Sequence, residues 1–123
     1  MKIVICGAGI VGSAIARHLA TEQNDVTVVD SDPEKIQWIT EHADVGAVEG
    51  VASHPNILAR AGLADSDLLI AVTESDEINM VACQVAYAIF HTPTRIGRIR
   101  GHDFLSYKDQ LFSDKAIPIN VLI

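Results

Sequence analysis

Short apolar runs of about five residues alternate with segments whose apolar positions recur at helical spacing, the pattern of βα units around a parallel sheet buried on both faces. Residues 2–6 read as a first strand, followed by a helix over 9–22 that is expected to turn Ile10, Ala14 and Leu19 toward the sheet and Arg17 and Glu22 toward water. Residues 26–30 form a second strand. Ser31-Asp32-Pro33-Glu34 then offers an N-cap and a proline at the first helical turn, opening a helix with Ile36 and Ile39 inside that runs to Ala43. A third strand is predicted over 45–49, and a short helix over 56–61 that stops at Gly62. Residues 67–72 (DLLIAV) make the clearest buried strand, so this one should be central. Thr73 to Asp76 caps a long helix over 76–90, apolar around most of its circumference through Met80, Val81, Cys83, Val85 and Ala88. A fifth strand over 94–100, a short helix over 104–111 and a sixth strand over 117–123 complete the pattern.

The chain has 123 residues, which suits one domain with a sizeable core and leaves no room for a second, substrate-binding one. Sixteen acidic against nine basic residues give a formal charge of −7, which argues against nucleic-acid or anionic-membrane binding because phosphates would be repelled. The two cysteines, Cys6 and Cys83, lie in apolar runs without metal-ligand spacing and read as small core residues in a reducing cytoplasm. No apolar run reaches the roughly 18 residues needed to span a bilayer. The chain ends abruptly on Ile119, Val121, Leu122 and Ile123, and from this a fragment of a longer protein is expected.

Chemistry enters where the first strand runs into Gly7-x-Gly9-x-x-Gly12. Gly7 allows a tight turn, Gly9 lets the backbone approach a pyrophosphate and Gly12 permits close packing of helix on strand. The spacing alone is a weak signal, since glycines also mark ordinary turns. Its place between strand and helix strengthens it, because the helix start presents unpaired N–H groups and a positive dipole end to phosphates. Gly7, Ala8, Gly9, Ile10, Val11 and Gly12 are the expected cradle. Asp30 ends the second strand 18 positions after Gly12, where a carboxylate can accept both hydroxyls of an adenosine ribose, with Ser31 beside it. A 2′-phosphate there would meet Asp30 and Asp32 with no arginine between them, so NAD(H) is expected and NADP disfavoured. Capping of the next helix is the other use open to Asp30. Together these features predict a doubly wound Rossmann-type α/β domain, a six-stranded parallel sheet in the order 3-2-1-4-5-6 with helices on both faces.

Ligands in such folds sit outside the carboxyl ends of the strands. Thr73, Asp76 and Asn79 follow the fourth strand, where capping and ligand contact are both open. Arg95, Arg98 and Arg100 lie on the fifth, and a buried strand rarely carries three arginines unless some meet an anion or another subunit. Arg98 is the choice for a phosphate contact, against an ion pair at the core edge, and Arg95 is expected in solvent. Ser53-His54-Pro55 after the third strand could border an adenine or simply open a helix with Ser53 as its cap.

No group stands ready to exchange a proton with a substrate: Tyr87 and Tyr107 are followed four residues later by His91 and Leu111, so a Tyr-x-x-x-Lys pair is absent. Binding without turnover is expected. The stretches KIVICGAGIVGSAIA, DVTVVDSD, GVASHPNILARAGLADSDLLIAVTESDEINMVACQVA, TPTRIGRIR and KAIPINVLI resemble the nucleotide-binding half of RCK/KTN domains, and within that family the Trk-type regulators of bacterial potassium uptake. The run from Thr73 to Cys83 and the arginine run from Arg95 to Arg100 discriminate far better than the glycine loop. The resemblance implies a non-catalytic, cytoplasmic protein, peripheral on the membrane, that binds NAD(H) or ATP/ADP, forms homo-oligomers and gates a membrane potassium-translocating subunit. It also implies phosphate contacts from residues 7–12 and Arg98, a ribose contact from Asp30, and Thr73, Asp76 and Asn79 at the cleft rim. One departure stands out: much of the wider family has Gly-Asp-Ala after the third strand, where this chain has Gly50-Val51-Ala52, and Val51 cannot accept from an adenine amino group. The alternatives are the dinucleotide-binding part of a truncated NAD-dependent oxidoreductase, and a structural domain with an empty cleft.

Overall fold

The first apolar run becomes an interior strand of the sheet. In the computed structural model, which describes residues 1–123, β1 (Lys2–Cys6) pairs with β2 (Asp25–Asp30) on one side and β4 (Leu68–Ala71) on the other. β3 (Gly46–Glu49) adds beyond β2, and β5 (Thr94–Gly97) and β6 (Val121–Leu122) add beyond β4. All pairs are parallel and the order is 3-2-1-4-5-6, as the alternation of runs predicts. The two-residue period of a strand sends alternate side chains to opposite faces. Ile3, Ile5, Val26, Val28 and Ile70 meet Ala16 of α1 (Ile10–Ala20) and Ile39 of α2 (Pro33–His42). Val4, Cys6, Val29, Leu69 and Ala71 face Leu58 of α3 (Pro55–Arg60) and Met80, Ala82, Cys83 and Ala86 of α4 (Asp76–Ala88).

Helix α1 is rotated from the expected orientation. Ile10 is 93% exposed and Ala14 lies in solvent, while Gly12, Ser13 and Ala16 face the sheet with Ile15 and Leu19 packed beside them. Hydrophobicity alone favours Ile10 inside; the approach of Gly12 to the Gly7 backbone at the end of β1 overrides it. Helix α4 is likewise more one-sided than expected, with Val81 and Ala88 exposed. The fifth strand ends three residues early, because β4 stops at Ala71 and the last bond available is Arg98 N–H to the Ala71 carbonyl, 2.9 Å. The sixth shrinks to two residues. Pro118 has no N–H to give, and the Arg95 N–H is accepted at 2.7 Å by the Asn120 side chain. The helix expected over 104–111 is two single turns, α5 (His102–Leu105) and α6 (Lys108–Leu111), separated at Tyr107.

Arg95 is the clearest correction. Expected in solvent, it is 3% exposed: its Nε donates to the Pro118 carbonyl at 2.6 Å, one Nη to the Thr92 carbonyl at 2.6 Å and the other to Asp114 at 2.7 Å. Its guanidinium also lies 4.8 Å from the Tyr87 ring centroid. The alternation of β5 turns it inward, and the Thr92 carbonyl together with Pro118 and Asp114 of the returning C-terminal segment makes that burial tolerable. Arg95→Ala would strand those acceptors, and urea unfolding should show a loss of about 2–4 kcal/mol.

The thiols give a second expectation. Burial raises Cys6 and Cys83 above the ordinary value of 9.0, Cys83 to about 12. Between these limits the unfolded chain has lost a proton that the folded chain keeps, so stability falls as pH rises from about 9 toward 12, by about 1.4 kcal/mol per unit per thiol. Melting midpoints should therefore drop above pH 9, and less steeply in Cys83→Ala. Parallel drops in the two proteins would contradict it.

Candidate functional site

The carboxyl ends of β1, β2 and β4 open on a cleft of about 490 Å³. Its floor is the glycine loop. Gly7 adopts φ +108° and gives its N–H to the Val29 carbonyl at 2.7 Å, and a Cβ there would lie 2.8 Å from the Val72 oxygen. At Gly12 a Cβ would stand 1.8 Å from the Gly7 oxygen, so no side chain fits. Gly9 differs: a Cβ on it meets nothing within 4 Å, so the chain itself makes no steric demand for glycine there. Helix α1 starts at this point without a capping side chain or an acidic residue in its first turn. Its first local bond is Ser13 N–H to the Gly9 carbonyl, 2.9 Å, leaving the amides of Ile10, Val11 and Gly12 without an acceptor in the chain. The Ser13 hydroxyl donates to the carbonyls of Ala8 and Gly9.

One end of the cleft is acidic. Asp30 Oδ2 accepts the Ala8 N–H at 2.7 Å and Oδ1 the Asp32 N–H at 2.8 Å, which fixes the carboxylate with its remaining lone pairs free. Capping of α2 falls to Asp32, which accepts the Glu34 N–H at 2.9 Å, so Asp30 is spared for the cleft. Ser31 lines the cleft beside it, and so does Lys35, a cation that the sequence reading passed over. Its signal was its place in the first turn of the helix that follows Asp30. Gly50, Val51 and Ala52 line the cleft after β3, whereas Ser53, His54 and Pro55 do not. The cap position of α3 is His54 rather than Ser53, and no side chain there makes a capping bond.

The other end is basic. Arg98 and Arg100 both line the cleft. One Nη of Arg98 donates to the carbonyls of Val72 and Thr73 at 2.8 and 2.9 Å, while its Nε is buried without an acceptor. Burial, and next the neighbouring Arg100, lower the pKa of Arg98 from the ordinary guanidinium value, with Glu74 and Asp76 opposing. Two adjacent cations and an orphaned donor at the end of a cleft make a place for an anion.

Thr73 lines the cleft, but Asp76 and Asn79 do not, contrary to their expected place at the rim. Asn79 is fully buried. Its Oδ1 accepts the Thr73 N–H and hydroxyl at 2.9 and 2.7 Å, and its Nδ2 donates to the carbonyls of Thr73 and Arg98 at 3.2 and 2.8 Å. Asp76 accepts the N–H groups of Arg100 and Gly101 at 2.9 and 2.8 Å. The cap of α4 is Ser75, which accepts the Ile78 N–H at 3.2 Å. Gly7, Gly9, Ile10 and Val11 line the cleft; Ala8 and Gly12 lie behind it, shaping the loop. The lining holds no histidine, cysteine or tyrosine, and its ionisable side chains are Asp30, Lys35, Glu74, Arg98 and Arg100.

The model of the TrkA-N domain matches residues 3–118. The chain belongs to the TrkA-N family. Over all 123 residues it is 52% identical to the Trk system potassium uptake protein TrkA of Haemophilus influenzae, and it spans 27% of that protein's length. Among solved structures, the TrkA-N domain of the inner membrane protein ybaL from Escherichia coli superposes with TM-score 0.83 at 20% identity, covering 99% of this chain and 85% of that one. The Shewanella denitrificans Kef CTD in its AMP-bound form gives TM-score 0.81 at 15% identity, covering 100% and 70%. The GsuK channel bound to NAD gives 0.78 at 18%, covering 99% and 21%. These likenesses establish the doubly wound fold of the TrkA-N domain. No helix is long and apolar enough to cross a membrane.

The two glycines should separate cleanly in this TrkA-N domain. Gly12→Ala must push the loop off the helix and is expected to lose about 1–3 kcal/mol or more, whereas Gly9→Ala should stay within about 0.5 kcal/mol of wild type in the same melts.

Proposed function

We propose that this TrkA-N domain binds the adenosine diphosphate part of NAD(H), with ATP and ADP as competing ligands, and serves as the nucleotide-sensing module of a potassium uptake regulator. The observation that carries the reading is one cleft with a fixed carboxylate at one end, two arginines at the other and a glycine loop with unpaired amides between them. The ribose diol would be held by Asp30 beside Ser31. The pyrophosphate would lie over Gly9, on the unpaired amides of Ile10, Val11 and Gly12, with Arg98 neutralising the far phosphate. Thr73 and Arg100 would close that end. Ala8 and Gly12 contribute by shaping the cradle. The nucleotides named with the Kef and GsuK structures, AMP and NAD, share an adenosine phosphate, which supports the same half of the ligand here.

The potassium-uptake names of the relatives favour a role in transport over dehydrogenase turnover. The name of the Haemophilus relative supports a role in potassium uptake, and with it a membrane potassium-translocating partner and a cytoplasmic, membrane-peripheral location; a homo-oligomeric assembly is a further part of the proposal. Gating requires that a ligand bind two conformations unequally. Differences of charge at the arginine end among NAD⁺, NADH, ATP and ADP supply such an inequality.

Calorimetric titration of the domain should show binding of NADH and ADP, about ten- to a hundredfold weaker in Arg98→Ala. Gly9→Ala should weaken binding while leaving the fold intact. NADP should bind at least about tenfold more weakly than NAD, because a 2′-phosphate would meet the fixed carboxylate of Asp30, which Lys35 beside it offsets only in part. Absence of heat with every adenine nucleotide would sink the reading.

A further inference from the structure

Arg98 and Arg100 lie beyond the last ladder pair of β5, where the sheet no longer dictates their position. After the Arg98 N–H reaches Ala71, the first turn of α4 holds the Arg98 carbonyl and the N–H groups of Arg100 and Gly101, while Ile99 is buried in the core and the Gly101 carbonyl turns to α5 by accepting the Leu105 N–H. Asn79 Nδ2 holds the Arg98 carbonyl at 2.8 Å. Asp76, three residues earlier on the same helical face, takes the N–H of Arg100 on Oδ1 at 2.9 Å and that of Gly101 on Oδ2 at 2.8 Å. The fit at Gly101 is close, since a Cβ there would stand 3.0 Å from Asp76 Oδ2. Both Asp76 oxygens are occupied by backbone donors, and Asn79 is wholly buried with each of its polar atoms bonded. Neither residue lines the cleft.

We infer that Asp76 and Asn79 are positioning residues: from the first turn of α4 they set where Arg98 and Arg100 stand, and thereby fix phosphate affinity without touching the nucleotide. The clamp has a second arm. Asn79 also takes both the N–H and the hydroxyl of Thr73 on the β4 side of the cleft, and the Arg98 guanidinium returns to the Thr73 carbonyl. One helical turn therefore ties together the two strand ends that form the basic wall. A phosphate that draws Arg98 toward itself competes with the carbonyls of Val72 and Thr73 and pulls on α4 through Asn79. The inference rests on the nucleotide reading of the cleft and adds to it which residues tune the phosphate end.

Titrating ADP and adenosine in parallel separates positioning from general support, because adenosine lacks the groups that meet the arginines. In the full chain, Asp76→Asn is expected to weaken ADP about tenfold and adenosine by less than about twofold, and its effect on ADP should largely vanish in an Arg100→Ala background. Asn79→Asp should show the same ADP-selective loss against Arg98→Ala; if it does not fold, the Asp76→Asn cycle decides the matter alone. Equal losses for ADP and adenosine, or an undiminished effect in the Arg100→Ala background, would overturn the inference while leaving the nucleotide reading intact. Failure of the wild-type protein to bind ADP would overturn both.

Discussion

The carboxyl end of the sheet depends on one contact between two pieces of backbone. The Gly7 carbonyl and the Cα of Gly12 lie so close that a single methyl group would stand 1.8 Å from the oxygen. That approach fixes how α1 is rotated about its axis, burying Gly12, Ser13 and Ala16 and leaving Ile10 in water. The exposed isoleucine is the cost of seating the helix start directly above β1. The same rotation leaves the first-turn amides free beside the cleft, where the dipole of the helix adds to them. Asp30 completes the arrangement by accepting the Ala8 N–H, so the carboxylate of β2 and the loop after β1 hold each other in place.

Against this floor the electrostatics are local rather than global. The chain carries a formal charge of −7, yet Lys35, Arg98 and Arg100 share one cleft. Without carboxylate partners within ion-pair distance, they are available to an anion, whereas Arg95, on the same short stretch, is spent on Asp114 and two carbonyls. Field at a concave site follows the nearest charges, so an acidic domain can still attract phosphate there. The first turn of α4 is bonded to both the β4 and the β5 ends of the arginine wall.

The two thiols take no part in the cleft. A group that transfers a proton or attacks a carbon needs a pKa near the working pH and a place beside the ligand. Both cysteines are buried with raised pKa values, and neither lines the cleft. The cleft itself offers fixed donors, a fixed acceptor and open space over Gly9.

Sequence by itself determined the sheet order, the glycine loop and the carboxylate at the end of β2, because each rests on short-range rules: the alternation of apolar runs, the need for glycine where backbones meet, and a fixed spacing along one βα unit. It also marked the arginines as unusual for a buried strand. Only the tertiary structure decided which arginine serves the core and which the cleft, since that depends on where β4 stops and on the Pro118 carbonyl and Asp114 carboxylate that the C-terminal segment brings to Arg95. Asp76 and Asn79 could be read as capping or ligand-binding, yet their partners lie from 6 to 25 residues away, on strand ends that helical periodicity does not register. Lys35 was missed for a related reason: its place at the cleft follows from the direction of α2 after Asp30, a three-dimensional fact. Local rules are written in neighbouring residues, whereas the wall of a cleft is assembled from chain segments that meet only when the sheet closes.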